Sequence, residues 1–216
     1  MIIAIDGPAG AGKSTVAKRV SVALGMTFLD TGAMYRAVTL AVLERGVHPS
    51  DAKSCAAVAC ELNLGFDREG RILIDGRPGE PGIRSSTVTL NVSAVSAHPG
   101  VREAVVERQR EIGKRSPGIV AEGRDTTTVV FPDADHKFFL NASADERARR
   151  RALQEGTLER LDEVRDDIER RDRLDTTRAH SPLKRAPDAI VVEADGLAVQ
   201  EVVESILERI RGGAPR

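Results

Sequence analysis

Residues 1–15 read Met-Ile-Ile-Ala-Ile-Asp-Gly-Pro-Ala-Gly-Ala-Gly-Lys-Ser-Thr. Ile2 to Ile5 form a short, β-branched apolar run that reads as a buried strand, and Val16 to Leu24 carries apolar side chains at helical spacing. The turn between them fits the pattern G-x-x-x-x-G-K-S/T, with Gly7, Gly12, Lys13 and Ser14 at the fixed positions. From Gly7 through Pro8, Ala9, Gly10, Ala11 and Gly12 the chain is suited to closing backbone N–H groups around phosphate oxygens at a helix N-terminus. Lys13 would reach the terminal phosphates and Ser14 would offer its hydroxyl directly to Mg²⁺, with Thr15 entering the helix. The alternatives are a plain glycine-rich turn with an exposed lysine, or a dinucleotide fingerprint. The second wants a third glycine for close helix packing, where Thr15 stands.

Working outward, 216 residues suffice for one elaborated α/β domain with its own core. The net charge of −1 gives no general attraction for nucleic acid or an anionic membrane, although 30% of residues are charged, so any anion binding is local. Cys55 and Cys60 lack metal-ligand spacing and read as reduced, buried thiols of a cytosolic protein. Asp6 interrupts the opening apolar run, against a secretory signal, and no stretch reaches the roughly 20 apolar residues of a membrane helix. Aromatic residues are 3% with no tryptophan, against a stacking platform for single strands. A cytoplasmic monomer with no nucleic-acid or membrane partner is expected.

The spacing predicts a helix over Thr15 to Leu24 stopped by Gly25, a strand over Thr27 to Leu29, and a helix over Ala33 to Leu43 capped by Asp30 or Thr31. Thr31, Tyr35 and Arg36 fall within one turn of each other. Taken alone, this is a capped helix with a half-buried tyrosine and a solvent arginine. Asp51 to Leu64 reads as helical, and Gly65-Phe66, Arg71 to Ile74 and the turn Asp75-Gly76-Arg77-Pro78 suggest a small antiparallel sheet. Ile83 to Ser86 is linker-like and Asn91 to Ala97 rich in small residues. Pro99 opens a helix over Val101 to Lys114. Strands follow at Ile119 to Ala121, His136 to Leu140 and Ala189 to Val192, then a final amphipathic helix over Val199 to Ile210. Such alternation implies a parallel sheet of about five strands with helices on both faces and ligands at the strands' carboxyl ends. The phosphate loop, Asp30 and Glu122 share that edge, where an acidic residue can orient metal-bound water.

Asp145 to Arg178 is dense in arginines and carboxylates, which a solvated helix with pairs such as Asp166/Arg170 and Asp167/Arg171 explains for the most part. Arg171, Asp175 and Arg178 fall at i, i+4 and i+7, on one face if the helix continues. Two arginines around one carboxylate suit a phosphate-facing cluster on a lid that excludes water. No Asn-Lys-x-Asp guanine-reading segment occurs, no G-x-S-x-G elbow occurs, and His48, His98, His136 and His180 lie far apart. Transfer of phosphate to a small acceptor remains, beside a non-catalytic nucleotide-binding regulator whose arginines meet a partner.

Gly7 to Thr15, Leu29-Asp30-Thr31-Gly32-Ala33-Met34-Tyr35-Arg36, Val101-Arg102-Glu103, Glu122-Gly123-Arg124-Asp125 and Val129-Val130-Phe131-Pro132-Asp133 together resemble the bacterial cytidylate kinase family over nearly the whole chain. The resemblance implies one P-loop kinase domain over 1–216, with an NMP-binding insert at 31–100 and a lid at 145–178 that close on the substrates. It implies ATP-dependent phosphorylation of CMP and dCMP with Mg²⁺, UMP or AMP being the alternative acceptors. Thr31, Tyr35 and Arg36 would meet the acceptor, and Ser93 and Arg102 would read the base. Arg124 and Asp125 would hold the acceptor, with Arg171, Asp175 and Arg178 completing the site. Lys13, Arg124, Arg171 and Arg178 would be the catalytic cations, and Asp30 and Glu122 would serve the metal through water. Two positions depart from the family: Glu122, where Asp is frequent, and Leu174, where a further arginine is common.

Overall fold

The computed structural model describes residues 1–67 and 69–212. Strand β1 (Ile2–Asp6) is paired on both sides, parallel to β6 (Ile119–Gly123) and parallel to β7 (His136–Asn141). This explains its uninterrupted apolar character, since a strand buried on both faces has no polar side to show. The sheet is completed by β2 (Thr27–Asp30) and β8 (Ile190–Glu193) in the order β2-β6-β1-β7-β8. Strand β1 is central, with β6 and then β2 on one side and β7 and then β8 on the other, so the crevice at its carboxyl end is where such sheets take ligands. That end is Asp6, level with Gly123 of β6 and Phe139 of β7.

One core cluster joins Ile3, Ile5, Phe138 and Leu140 of the sheet to two helices. Helix α1 (Lys13–Leu24) gives Val16, Ala17 and Val20, and the C-terminal helix (Val199–Arg211) gives Val202, Val203, Ile206 and Leu207. Helix α1 begins two residues before the predicted Thr15, because Gly12 takes a left-handed conformation at the N-cap, with φ 91°. Lys13 and Ser14 therefore stand in its first turn. Residues 1–28 with 117 onward form one compact unit and residues 29–116 a second, the boundary falling within β2.

The second unit contains α2 (Thr31–Glu44), α3 (Ala52–Glu61) and an antiparallel sheet β3 (Leu64–Phe66), β4 (Ile72–Ile74) and β5 (Arg77–Pro78). Arg77-Pro78, expected within a turn, is a strand paired with Ile74 and Leu73. The turn is Asp75-Gly76 alone, both at positive φ as a two-residue hairpin favours. Helix α4 (Ser86–Ala97) takes in the expected small-residue stretch, while the expected linker is a 3₁₀ turn over Gly82–Arg84 running into the cap of that helix. Its β-branched content hides it from propensity, yet Val88, Val92 and Val95 give one buried face and Ser85 caps it by accepting from the Val88 N–H at 3.3 Å. Helix α5 (Pro99–Arg115) follows directly.

In the first unit, α6 (Ala144–Glu155) and α7 (Leu161–Thr177) flank a short 3₁₀ turn. Helix α7 stops at Thr177, so Arg178 does not continue a helical face with Arg171 and Asp175; its backbone is extended. Arg170 bonds Asp167 rather than the expected Asp166. Cys55 is buried but Cys60 is exposed, against the expectation for both, and both thiols are free. Among the described residues no helix is long and apolar enough to cross a membrane.

Gly7 tests the loop's packing. A Cβ there would lie 2.1 Å from the Leu140 carbonyl oxygen, at φ +156°. Gly7→Ala is expected to cost about 3 kcal/mol, lowering the melting temperature by roughly 6–12 °C, from overpacking against backbone. Gly25→Ala meets nothing within 4 Å and should cost only its left-handed backbone, about 1 kcal/mol. Thermal melts of both variants measure the contrast.

Candidate active site

The carboxyl edge of the first unit's sheet is organised by Asp6. Its carboxylate accepts from the N–H and Oγ1 of Thr126, at 2.9 and 2.6 Å, and from the N–H and Oγ1 of Thr127, at 2.7 and 2.6 Å. Burial raises its pKa while these hydrogen bonds oppose the rise. The bracket ties the end of β1 to the one-turn segment Thr126–Val130 that follows β6. Between its two ends lie Glu122, Gly123, Arg124 and Asp125, so these residues are held at the sheet edge beside the phosphate loop.

Lys13 is buried and donates from Nζ to the Pro8 carbonyl at 2.8 Å, folding back over its own loop. Its pKa is lowered from 10.5 to about 7, first by burial and then by the charge of Arg124, with Glu122, Asp6 and Asp175 acting against the shift. Ser14 donates from Oγ to Glu122 Oε1 at 2.6 Å, which brings together two of the three residues expected on the metal side. Glu122 itself is buried. The third, Asp30, is engaged in the second unit. There its Oδ1 accepts from the Ala33 N–H at 2.8 Å and its Oδ2 pairs with Arg84 at 3.3 Å.

The three expected late-chain residues, Arg171, Asp175 and Arg178, converge with Arg124. Arg124 Nε donates to Asp175 Oδ2 at 2.8 Å. Arg178 lies 3.7 Å from Asp175 and 3.9 Å from Asp125, and its Nε donates to the Ser181 carbonyl at 2.7 Å. The extended backbone at Arg178 thus reaches the cluster that a continuing helix was expected to reach. Arg171 has a buried Nε with no hydrogen-bond partner among the described residues, and its pKa is lowered by burial and by Arg124. Burial alone would raise Asp175, but Arg124, Arg178 and Arg171 outweigh it and hold its carboxyl below the usual range.

In the second unit, Tyr35 and Arg36 are both buried, against the half-buried and solvent positions expected from spacing. The Arg102 guanidinium lies 4.9 Å from the Tyr35 ring centroid and its Nη1 donates to the Ser96 carbonyl at 3.1 Å. Arg36 donates to Thr89 Oγ1 at 2.9 Å and to the Ile83 carbonyl at 3.2 Å. Thr31 opens α2 and is buried, and Ser93 is half-buried on α4, one turn beyond Thr89. Thr89 went unnoticed because α4 did. Asp6 was noticed only as a break in the opening apolar run, and Thr126 and Thr127 gave no signal of their own.

A parallel sheet, a phosphate loop at the end of its central strand and arginines over the same edge define a P-loop α/β protein. The profile of the cytidylate kinase family matches residues 3–212. A cytidylate kinase of Caldanaerobacter subterraneus subsp. tengcongensis is 46% identical over 212 residues, covering 97% of this chain and 94% of that protein. A bifunctional pantoate ligase/cytidylate kinase of Synechococcus elongatus is 47% identical over 221 residues, covering 97% of this chain. The chain spans 42% of that relative's length. Shikimate kinase from Bacteroides thetaiotaomicron shares the fold with a TM-score of 0.51 at 17% identity, over 98% of each chain. This chain belongs to the cytidylate kinase family.

Asp175 offers a direct test of the cluster. Asp175→Asn leaves Arg124, Arg171 and Arg178 without their shared carboxylate and should cost about 3 kcal/mol at neutral pH. A carboxyl whose folded pKa is depressed stabilises above its unfolded value near 3.8, and that contribution is lost as pH falls through the folded pKa. Denaturant midpoints should therefore separate wild type from variant at neutral pH and draw them together in acid.

Proposed function

We propose that this chain transfers the γ-phosphate of ATP to CMP and dCMP, forming CDP and dCDP. The observation that carries the reading is the gathering of Lys13, Arg124, Arg171 and Arg178 around the phosphate loop and a single depressed carboxylate, Asp175. In this reading the loop from Gly7 to Thr15 takes the donor, and Thr31, Tyr35, Arg36, Ser93 and Arg102 take the acceptor nucleotide. Arg124, Asp125, Arg171, Asp175 and Arg178 meet the phosphates. The family assignment supports the choice of cytosine. We take the enzyme to act as a cytoplasmic monomer on nucleotides, with no nucleic-acid or membrane partner.

The acceptor phosphate is the nucleophile and is ionised at neutral pH, so the site needs no strong general base. Catalysis then rests on alignment and on neutralising the charge that develops on the moving phosphoryl group, for which positioned cations are effective in a water-poor site. Asp175 keeps the Arg124 plane fixed, and the crowding of Arg171 against Arg124 leaves positive charge ready for an anion. Mg²⁺ suits the Ser14 hydroxyl and the Glu122 carboxylate, two hard oxygen donors within 2.6 Å of each other. Among the described residues no group of three His, Cys, Asp or Glu could form a cage by itself, as fits an ion held largely by phosphates and water. When bound, the ion would neutralise donor-phosphate charge, with Ser14 as direct ligand and Glu122 acting through water.

A coupled assay with ATP and a panel of monophosphates tests the proposal. CMP and dCMP should turn over well ahead of UMP and AMP, and equal turnover of AMP would overturn the cytosine reading. Lys13→Ala and Arg178→Ala should each lose about 10²–10³ in kcat while remaining folded. A nucleotide-binding regulator would have no CMP-dependent turnover to lose.

Lys13 adds a pH dependence with a definite sign. At about pH 8 the free chain holds Lys13 mostly neutral, while bound phosphate favours the ammonium, so ATP binding takes up a proton. Donor affinity is then greatest below about 7 for this group and falls as pH rises through the free pKa. Calorimetry in two buffers of different ionisation enthalpy should show the uptake in wild type and lose it in Lys13→Met.

A further inference from the structure

The phosphate loop is gripped from outside by one side chain from each helix of the 144–177 segment. Arg147, on α6, is buried; its Nη1 donates to the Ala9 carbonyl at 2.9 Å and its Nε to the Ala142 carbonyl at 2.9 Å. The Ala9 N–H donates to Oδ1 of Asp172, on α7, at 3.0 Å. Arg147 also pairs with the other oxygen of Asp172. Ala9, Asp172 and Arg147 thus form a closed ring in which both backbone polar groups of one loop residue are held by an ion pair. The next residue is pressed on the same two helices: a Cβ at Gly10 would lie 3.1 Å from the Arg147 carbonyl oxygen and 3.3 Å from Ile168 Cδ1.

Two neighbours give this ring a consequence for chemistry. Pro8, directly before Ala9, supplies the carbonyl that receives Lys13 Nζ. Asp172 lies between Arg171 and Asp175 on α7, so the helix that grips the loop also carries the carboxylate that orients Arg124. Lys13 and the arginine cluster are therefore mounted on one support. We propose that Arg147 and Asp172 act as a single positioning unit that sets the phosphate loop against the transfer arginines. The pair itself touches no reacting atom, and the inference rests on the assignment of the loop as the donor site.

The test compares Asp172→Ala, Asp172→Asn, Arg147→Met and the Arg147→Met/Asp172→Ala double variant in the full chain, by kcat, KM for ATP and CMP, and thermal melts. Asp172→Ala is expected to lower kcat about tenfold or more with KM for CMP changed by less than about threefold. Asp172→Asn, whose amide oxygen still accepts from the Ala9 N–H, should recover part of that loss. The double variant should be no slower than the slower single, because the ring is lost once. Wild-type kcat in Asp172→Ala, losses that multiply in the double, or losses that track melting temperature alone would overturn the proposal. If Asp172→Ala fails to fold, Arg147→Lys gives the same decision, since a lysine keeps the charge but cannot span both carbonyls and Asp172. There, a kcat loss supports the unit and an unchanged kcat refutes it. Lys13→Ala run alongside separates the two levels: retained activity there would undo the donor assignment, whereas its loss with normal turnover in both single Asp172 variants would undo only the positioning unit.

Discussion

One buried carboxylate holds the working edge of the molecule together. Asp6 is fully enclosed, and an ionised carboxylate moved from water into such a site costs several kcal/mol unless it is paired or bonded. Four donors from two consecutive threonines offset part of that cost, each charge-assisted bond contributing about 1.5–3 kcal/mol. The consequence is geometric. Gly7 leaves β1 one residue after Asp6, and Arg124 and Asp125 leave β6 just before Thr126, so the phosphate loop and Arg124 are fixed to each other through one side chain. Gly7 completes the constraint, since its approach to the Leu140 carbonyl leaves no room for a Cβ.

The cations placed on that edge crowd one another although carboxylates stand among them. Lys13 and Arg171 are both depressed by burial and by Arg124, while Arg124 is raised against its own burial by Asp175 and Glu122. Asp175 therefore has to serve three guanidiniums. A group that lowers the pKa of its neighbours is storing repulsion, and repulsion among fixed cations is relieved by an anion between them. Phosphates bring several anionic oxygens, which fit such a site better than one more carboxylate from the protein would.

How much of this could be read from the residue string divides along contact distance. The strands were legible because a parallel strand buried on both faces shows as an apolar run, and the loop because its glycines and Lys13 lie within one short window. Arg171, Asp175 and Arg178 were legible as a spacing, although Arg178 reaches its place by leaving the helix. Helix α4 was obscured by valines and threonines whose propensity points elsewhere, with its burial decided by tertiary packing. The Asp6 bracket, the Ala9–Asp172 bond and the Ala9–Arg147 bond join residues 120, 163 and 138 positions apart. Nothing local marks either end of such a contact, and both Arg147 and Asp172 sit in a segment whose composition is explained by exposed pairs such as Arg149/Glu146 and Arg160/Glu163.

The string Asp30-Thr31-Gly32-Ala33-Met34-Tyr35-Arg36 shows why a motif that identifies a family need not be made wholly of ligand contacts. Asp30 caps α2 through the Ala33 N–H, and its other oxygen meets Arg84. A Cβ at position 32 would come within 3.2 Å of the capping oxygen, so Gly32 belongs to the same device. Met34 is fully buried and is core. The cap fixes where the helix starts, and with 3.6 residues per turn the start fixes the direction of every later side chain. Thr31, Tyr35 and Arg36 are aimed by that start, and Tyr35 in turn supports Arg102 from a different helix. Asp30 and Gly32 therefore act on the direction of these side chains at one remove, and altering them would turn the helix before it touched Thr31, Tyr35 or Arg36.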